Sequence, residues 1–168
     1  MIVTTSLREI AADIAAAELF SQQLNVPFVA RNRQSMQELQ NNTNATVIIV
    51  FENQQPVVTN SAGKFFFHRG LSELRILNML RGGNDPLVKA LGLEPGMRVL
   101  DCTLGLAADA LVAAHAVGET GSVCGLESVP LVALMTRFGL DSLQTNFADT
   151  SPAITISRFN PVLPPCEV

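Results

Sequence analysis

The sequence contains no tryptophan and no tyrosine, and charged residues make up only 15% of its 168 positions. Phenylalanine and the aliphatic residues must therefore form any core. Hydrophobic residues reach 48%, which separates the chain from disordered tails, because those are poor in apolar residues and rich in charge. The length suits one domain, or one domain with a small appendage.

Several functional classes lack their usual signals. No window reaches the roughly 18 uninterrupted apolar residues of a membrane span, and no basic segment with an apolar run marks a signal peptide. Cys102, Cys124 and Cys166 are scattered, with no CxxC pair and no His-rich run. We therefore expect no metal site, no membrane partner and a reducing, cytoplasmic location. The net charge of −4 disfavours a large phosphate-binding surface, although a local one remains compatible.

Residues 1–70 predict a small α/β appendage. A helix is predicted over Leu7–Leu24, with Ser6 as its N-cap and Glu9 as the capping-box partner. A second, short helix is predicted over Ser35–Gln40, followed by a polar break at Asn41–Asn44. Segments rich in β-branched and aromatic residues predict strands over Met1–Thr5, Val26–Ala30, Thr46–Phe51, Val57–Thr59 and Lys64–His68.

Residues 71–168 predict a different organisation, in which strands and helices alternate. Asp85 precedes Pro86, a pairing typical of a helix N-cap and first turn. Strands are predicted over Met97–Asp101 and Ser122–Leu126, and helices over Leu71–Leu80, Pro86–Leu91, Leu106–Val117 and Pro130–Phe138. This alternation is typical of a Rossmann-like, doubly wound parallel sheet.

The segment VLDCTLGLAADALVAA, residues 99–114, carries the chemistry. A strand ends in Asp101, and a loop containing Gly105 leads into a helix. Ligands of open parallel sheets bind beyond the carboxyl ends of the strands, and glycine lets the backbone approach them closely. Glu127 ends the next strand, where an acid can accept hydrogen bonds from both ribose hydroxyls of a nucleoside.

The loop departs from the phosphate-binding patterns. It has one glycine where G-x-G-x-x-G has three, and GxxxxGK[ST] is absent. A cofactor without phosphates therefore fits better than NAD or ATP. S-adenosylmethionine (SAM) is such a cofactor, with a ribose, an adenine and a charged methionine end. A nicotinamide-dependent dehydrogenase is the weaker alternative.

The run GMRVLDCTLGLAADALVAAHAVGETGSVCGLE resembles motifs I and II of class I SAM-dependent methyltransferases. With MIVTTS, KFFFHRGLSELRILNML and GGNDPLVKALGL, it is similar to bacterial small-subunit ribosomal RNA guanine-N2 methyltransferases and uncharacterised Firmicute relatives. The resemblance covers roughly residues 1–140. It implies SAM as cofactor, RNA as substrate and methyl transfer to a guanine nitrogen.

The resemblance also implies roles for individual residues. Asp109 would face the methionine end or cap the loop, and Glu127 would bind the ribose, with Ser128 and Val129 near the adenine. The cofactor loop would be lined by Asp101, Cys102, Thr103, Gly105 and Leu106.

The catalytic residues stay unassigned at this point. His68, Arg69 and Arg75 precede the core, where a substrate could pass, although ordinary solvated faces are the competing interpretation. His115 lies within an Ala-rich helix and is expected to be structural. Cys102 has no histidine nearby in sequence, which disfavours a nucleophile.

After residue 140 the family pattern is not followed. Further strands and an Asp/Asn-Pro-Pro-aromatic loop are expected, but only fragments occur, at Asn160-Pro161 and Pro164-Pro165. Ile154–Ser157 is the one weak strand candidate, so we expect an incomplete sheet with an unpaired edge. We therefore expect the chain to be part of a longer enzyme, or a minimal form that completes its sheet as a homodimer. A catalytically inactive SAM-binding relative is the alternative function.

Overall fold

The computed structural model describes residues 1–146 and 159–162. The chain divides into two compact units, Met1–Phe67 and His68–Val168. The first unit ends close to the boundary expected after residue 70.

The first unit is a mixed sheet with two helices. Its elements are β1 (Ile2–Thr5), α1 (Ala11–Leu24), α2 (Met36–Thr43), β2 (Ile48–Glu52), β3 (Gln55–Asn60) and β4 (Gly63–Phe66). The strand order is β1-β2-β3-β4. β1 and β2 are parallel, whereas β2, β3 and β4 form antiparallel pairs.

The start of α1 differs from the prediction. Ser6 is not its N-cap, because the Ser6 N–H donates to the Phe51 carbonyl and prolongs the pairing of β1 with β2. Glu9 adopts a left-handed backbone conformation with φ of 44°, and its Oε1 accepts the Asn32 N–H at 2.9 Å. The helix therefore begins after Ile10, which makes no side-chain capping hydrogen bond.

The second helix, α2, starts near its predicted position but ends beyond it. The Ser35 hydroxyl and the Glu38 carboxylate form a reciprocal capping box that fixes the start of α2. The helix then continues beyond the predicted end to Thr43, and Asn44 ends it in the left-handed conformation. The strand predicted over Val26–Ala30 is reduced to a single bridge between Phe28 and Val3.

The core of the first unit lies where α1 packs on the β1–β2 pair. The rings of Phe20 and Phe51 meet edge to face with their centroids 5.2 Å apart, and both side chains are fully buried. Asp13 is also buried, and its Oδ1 accepts the Gln54 N–H at 2.6 Å. This bond ties α1 to the turn between β2 and β3.

We expect Phe51→Ala to lower the free energy of unfolding by about 3–5 kcal/mol, because it removes a buried ring and leaves a cavity. Urea unfolding followed by circular dichroism measures this change. Phe65→Ala is the matched control, since Phe65 is 41% exposed, and its cost should stay below about 1 kcal/mol. Equal effects for the two variants would contradict the described core.

The second unit alternates helices with parallel strands. Its elements are α3 (Gly70–Leu80), α4 (Pro86–Leu91), β5 (Arg98–Asp101), α5 (Ala108–Val117), β6 (Ser122–Leu126), α6 (Pro130–Asn146) and β7 (Phe159–Val162). The three strands form a parallel sheet in the order β5-β6-β7. The predicted strand ending at Asp101 and the strand Ser122–Leu126 are both confirmed.

Two boundaries in this unit were predicted wrongly. α5 begins at Ala108 rather than Leu106, because Ala107 adopts a left-handed conformation with φ of 61°. α6 does not end at Gly139 but continues to Asn146. A glycine inside a helix costs only about 1 kcal/mol relative to alanine, and the burial of the adjacent Leu140 offsets it. The strand candidate Ile154–Ser157 lies outside the described residues.

α5 is the central helix of the second unit. Ala110, Leu111, Val112, Ala113 and Ala114 are all buried. A helix that is apolar around most of its circumference belongs in the interior, as its alanine-rich composition indicates. Within residues 1–146 and 159–162, no helix combines the length and apolarity that a membrane crossing requires.

Candidate functional site

The site forms where β5 and β6 end at the same edge of the sheet. Asp101 is the last residue of β5 and pairs in register with Gly125 of β6, two positions before Glu127. The Asp101 Oδ1 accepts the Thr103 N–H at 2.9 Å, and the Glu127 Oε2 accepts the Gly105 N–H at 3.0 Å. The two strand-end carboxylates thus bind the backbone of the same short loop.

The loop, residues 102–107, needs two left-handed backbone conformations. Gly105 has φ of 52°, and a Cβ placed there would meet nothing closer than the Thr103 carbonyl at 3.9 Å. Glycine is therefore required by the backbone conformation rather than by lack of space. Ala107 has φ of 61° without this freedom, which costs roughly 1–2 kcal/mol. The surrounding contacts hold the loop in this shape.

Those contacts come from β6 and α6. The Leu104 N–H donates to the Leu126 carbonyl at 2.9 Å, and the Leu104 side chain covers Gly125. A Cβ on Gly125 would lie 2.6 Å from the Leu104 side chain, so a side chain at this position would displace Leu104. The buried Thr136 of α6 donates its hydroxyl to the Gly105 carbonyl at 2.7 Å.

A cluster of three charged side chains, Arg75, Asp85 and Asp109, lies next to the loop, at the start of α5. Arg75 of α3 donates from Nε and Nη2 to the two oxygens of Asp85, at 2.8 and 2.9 Å. Its Nη1 donates to Asp109 Oδ1 at 2.6 Å. Asp85 is buried and also caps α4 by accepting the N–H groups of Leu87 and Val88. Arg75 therefore joins α3, α4 and α5.

The ion pair changes the acidity of its members. The pKa of Asp85 falls to about 2, chiefly because the Arg75 side chain donates hydrogen bonds to it, and the helix N–H groups contribute further. The pKa of Arg75 is raised, mainly by the hydrogen bonds to Asp85 and in smaller part by those to Asp109. Both groups are charged throughout the neutral range.

The predicted cofactor residues fall into two groups. Cys102, Thr103 and Ser128 are exposed, and the Asp109 side chain is 63% exposed. Asp101, Gly105, Leu106 and Glu127 are partly buried. The loop thus has a fixed inner side and an open outer side, which is the arrangement that a ligand site requires. The binding roles themselves remain predictions.

The predicted substrate residues, His68, Arg69 and Arg75, have different surroundings. His68 is exposed, and Arg69 lies 3.8 Å from the Glu73 carboxylate on the same helix. All three guanidinium nitrogens of Arg75 donate to carboxylates. The structure therefore gives Arg75 a role in joining helices, which the sequence did not reveal.

Three contributions to the site were missed from the sequence. Leu104 and Thr136 support the loop, and Asp85 anchors Arg75 in addition to capping α4. A threonine within the apolar run LVALMTRF was an available signal, because a buried hydroxyl must find a partner. Among the described residues, no group of three or more His, Cys, Asp or Glu side chains is arranged to hold a metal ion.

The fold is that of a solved methyltransferase. The chain superimposes on the SAM-dependent methyltransferase NGO1261 from Neisseria gonorrhoeae with a TM-score of 0.55 and 13% identity, over 95% of this chain and 59% of that protein. This confirms the predicted α/β, Rossmann-like fold.

Sequence comparison points to a longer relative. The chain is 38% identical over 152 residues to the uncharacterized protein YpiP of Bacillus subtilis strain 168, covering 90% of this chain and 59% of the relative. No family model matches the sequence. The chain therefore spans somewhat more than half the length of both proteins.

The depressed pKa of Asp85 predicts a stability contribution that depends on pH. Its folded pKa is about 2, against an ordinary value of 3.8. The contribution is therefore complete well above pH 4 and disappears as the pH falls toward 2. This difference in pKa corresponds to about 2 kcal/mol.

We therefore expect Asp85→Asn to destabilise the chain more at pH 6 than at pH 2, because only the ionised wild-type carboxylate gains from Arg75. Urea unfolding at a series of pH values measures the difference between variant and wild type. Asp141→Asn, at an exposed position of α6, should give a difference that stays flat. A flat difference for Asp85→Asn as well would contradict the assigned ion pair.

Proposed function

We propose that this chain binds SAM at the loop between β5 and α5 and provides the cofactor-binding part of a methyltransferase. One observation carries the proposal, namely that Asp101 and Glu127 converge on the Thr103–Gly105 backbone from adjacent parallel strands. Support also comes from the fold shared with a SAM-dependent methyltransferase.

The hydrogen bonds of the loop favour a cofactor without phosphates. Phosphate-binding loops work because free backbone N–H groups point at the anion. Here the N–H groups of Thr103 and Gly105 bind carboxylates, and that of Leu104 binds a strand carbonyl. Two carboxylates at the site would also repel a pyrophosphate. NAD is therefore a poor fit, and SAM is a good one.

Glu127 is the residue that we propose for the ribose. Its oxygens accept the N–H groups of Gly105 and Val129, at 3.0 and 2.8 Å. A carboxylate offers about four lone-pair sites, so two ribose hydroxyls can bind without breaking these bonds. Asp109, which is exposed in the first turn of α5, is then the acid available to the ammonium of the methionine end.

SAM, when bound, supplies an electrophilic methyl group that is transferred by in-line displacement. The contribution of the residues described above is to orient the cofactor and hold its charges. A nitrogen of a guanine in ribosomal RNA is the acceptor that we propose, on the strength of the sequence resemblance. His68 and Arg69 are the proposed substrate contacts, and no residue is assigned to proton transfer.

A second candidate is a SAM-binding module without methyltransferase activity. The two candidates share the cofactor site and differ only in catalysis.

We expect titration calorimetry of the chain to detect binding of SAM and S-adenosylhomocysteine but not of NAD. Glu127→Gln should weaken SAM binding roughly tenfold, because it replaces one acceptor oxygen with a donor, and about 1.4 kcal/mol corresponds to tenfold. Glu119→Gln, at an exposed position after α5, is the matched control and should bind like wild type. Binding of NAD in preference to SAM would refute the proposal.

A methyl-transfer assay separates the two candidates. Incubation of the chain with labelled SAM and unmethylated small-subunit ribosomal RNA should label guanine, and Asp101→Ala should lower the labelling strongly because the Thr103 N–H loses its acceptor. Asp141→Asn should leave it unchanged. Tight SAM binding without any transfer would mean that this chain by itself binds the cofactor and does not catalyse methyl transfer.

A further inference from the structure

We propose that Arg75 is a positioning residue for the SAM site, acting through Asp109 rather than by contact with substrate or cofactor. The proposal rests on the proposed function, since it concerns the same loop. It changes the role that the sequence suggested for Arg75, and it assigns a purpose to Arg75 and Asp85, neither of which is proposed to contact the cofactor.

The cluster is fixed at one end. Asp85 is 4% exposed, receives two hydrogen bonds from Arg75, and accepts two helix N–H groups through the same carboxylate. A paired guanidinium of this kind has a defined orientation, because the planar fork matches the carboxylate. The remaining Nη1 is thereby directed at one place, where it meets the Asp109 Oδ1 at 2.6 Å.

The other end of the cluster lies next to the cofactor loop. Asp109 stands in the first turn of α5, two residues after the strained Ala107 and four after Gly105. Its side chain is 63% exposed, so without Arg75 its rotamer would be free. With Arg75, one oxygen is held and most of the carboxylate stays open to a ligand.

Arg75 has two opposing effects on a cationic ligand. Its positive charge partly neutralises Asp109, which disfavours binding of the methionine ammonium, whereas its hydrogen bond orients the carboxylate, which favours binding. Coulomb terms between exposed groups are small and are screened by salt. Pre-orientation of the Asp109 carboxylate removes an entropic cost of binding. We therefore infer that the orienting hydrogen bond favours SAM binding more than the charge of Arg75 disfavours it.

The test is calorimetry of SAM binding to the full chain. Arg75→Met should weaken SAM binding roughly tenfold, and Arg75→Lys should recover part of it because it keeps a donor for Asp109. Arg81→Met, at an exposed position where α3 ends, is the matched control and should bind like wild type. Asp109→Ala should also weaken binding.

A double-mutant cycle decides whether Arg75 acts through Asp109. In the Asp109→Ala background, which leaves no acceptor for Arg75, Arg75→Met should change the dissociation constant less than about twofold. Phe51→Ala controls for general destabilisation. It should lower the melting temperature while leaving SAM affinity within about threefold, because Phe51 lies in the core of the first unit and takes no part in the contacts of Arg75.

The outcomes separate this proposal from the proposed function. Wild-type binding of SAM with unchanged or tighter binding by Arg75→Met overturns the positioning role alone. An effect of Arg75→Met that is equally large with and without Asp109 also overturns it. A wild-type chain that ignores SAM and S-adenosylhomocysteine overturns the proposed function, and the positioning role with it.

Discussion

The hydrogen bonds from two strand-end carboxylates to one loop are the interaction on which the site depends. Without them the loop would carry free N–H groups and would resemble a phosphate-binding turn. With them, Thr103 and Gly105 are occupied, and the negative charges of Asp101 and Glu127 are held next to each other by parallel strand pairing. The loop therefore presents carboxylate oxygens, which accept hydrogen bonds, in place of free N–H groups, which would donate them.

The rest of the second unit keeps the loop in an unfavourable backbone shape. An alanine at φ of 61° is maintained only when its surroundings fix it. The Thr136 hydroxyl holds the Gly105 carbonyl from α6, the Leu104 side chain occupies the space left free by Gly125, and Arg75 holds the first turn of α5. Three elements far apart in sequence thus support a loop of six residues.

The similarity to longer proteins bears on what the chain does as a whole. Both YpiP and the Neisseria gonorrhoeae methyltransferase extend well beyond the region that this chain spans, which is 59% of each. The features described here concern one strand-end loop of a methyltransferase-like fold, and both cofactor binding and methyl transfer by the chain are proposals.

Sequence alone determined the features whose signals are local. The short helix beginning near Ser35, the cap at Asp85, the strand ending at Asp101 and the loop at Gly105 all depend on residues within a few positions of one another. The fold class followed from the order of those elements. Periodicity and turn chemistry are sufficient for such features, because each one is stabilised mainly by its own neighbours.

Only the tertiary structure decided the contacts that cross between elements. Ser6 continues a strand pairing instead of capping α1, and α6 runs through Gly139 because the adjacent Leu140 is buried. The bond between Arg75 and Asp109 joins residues 34 positions apart. No local pattern marks such pairs, since their energy depends on a geometry that exists only once helices and sheet have packed.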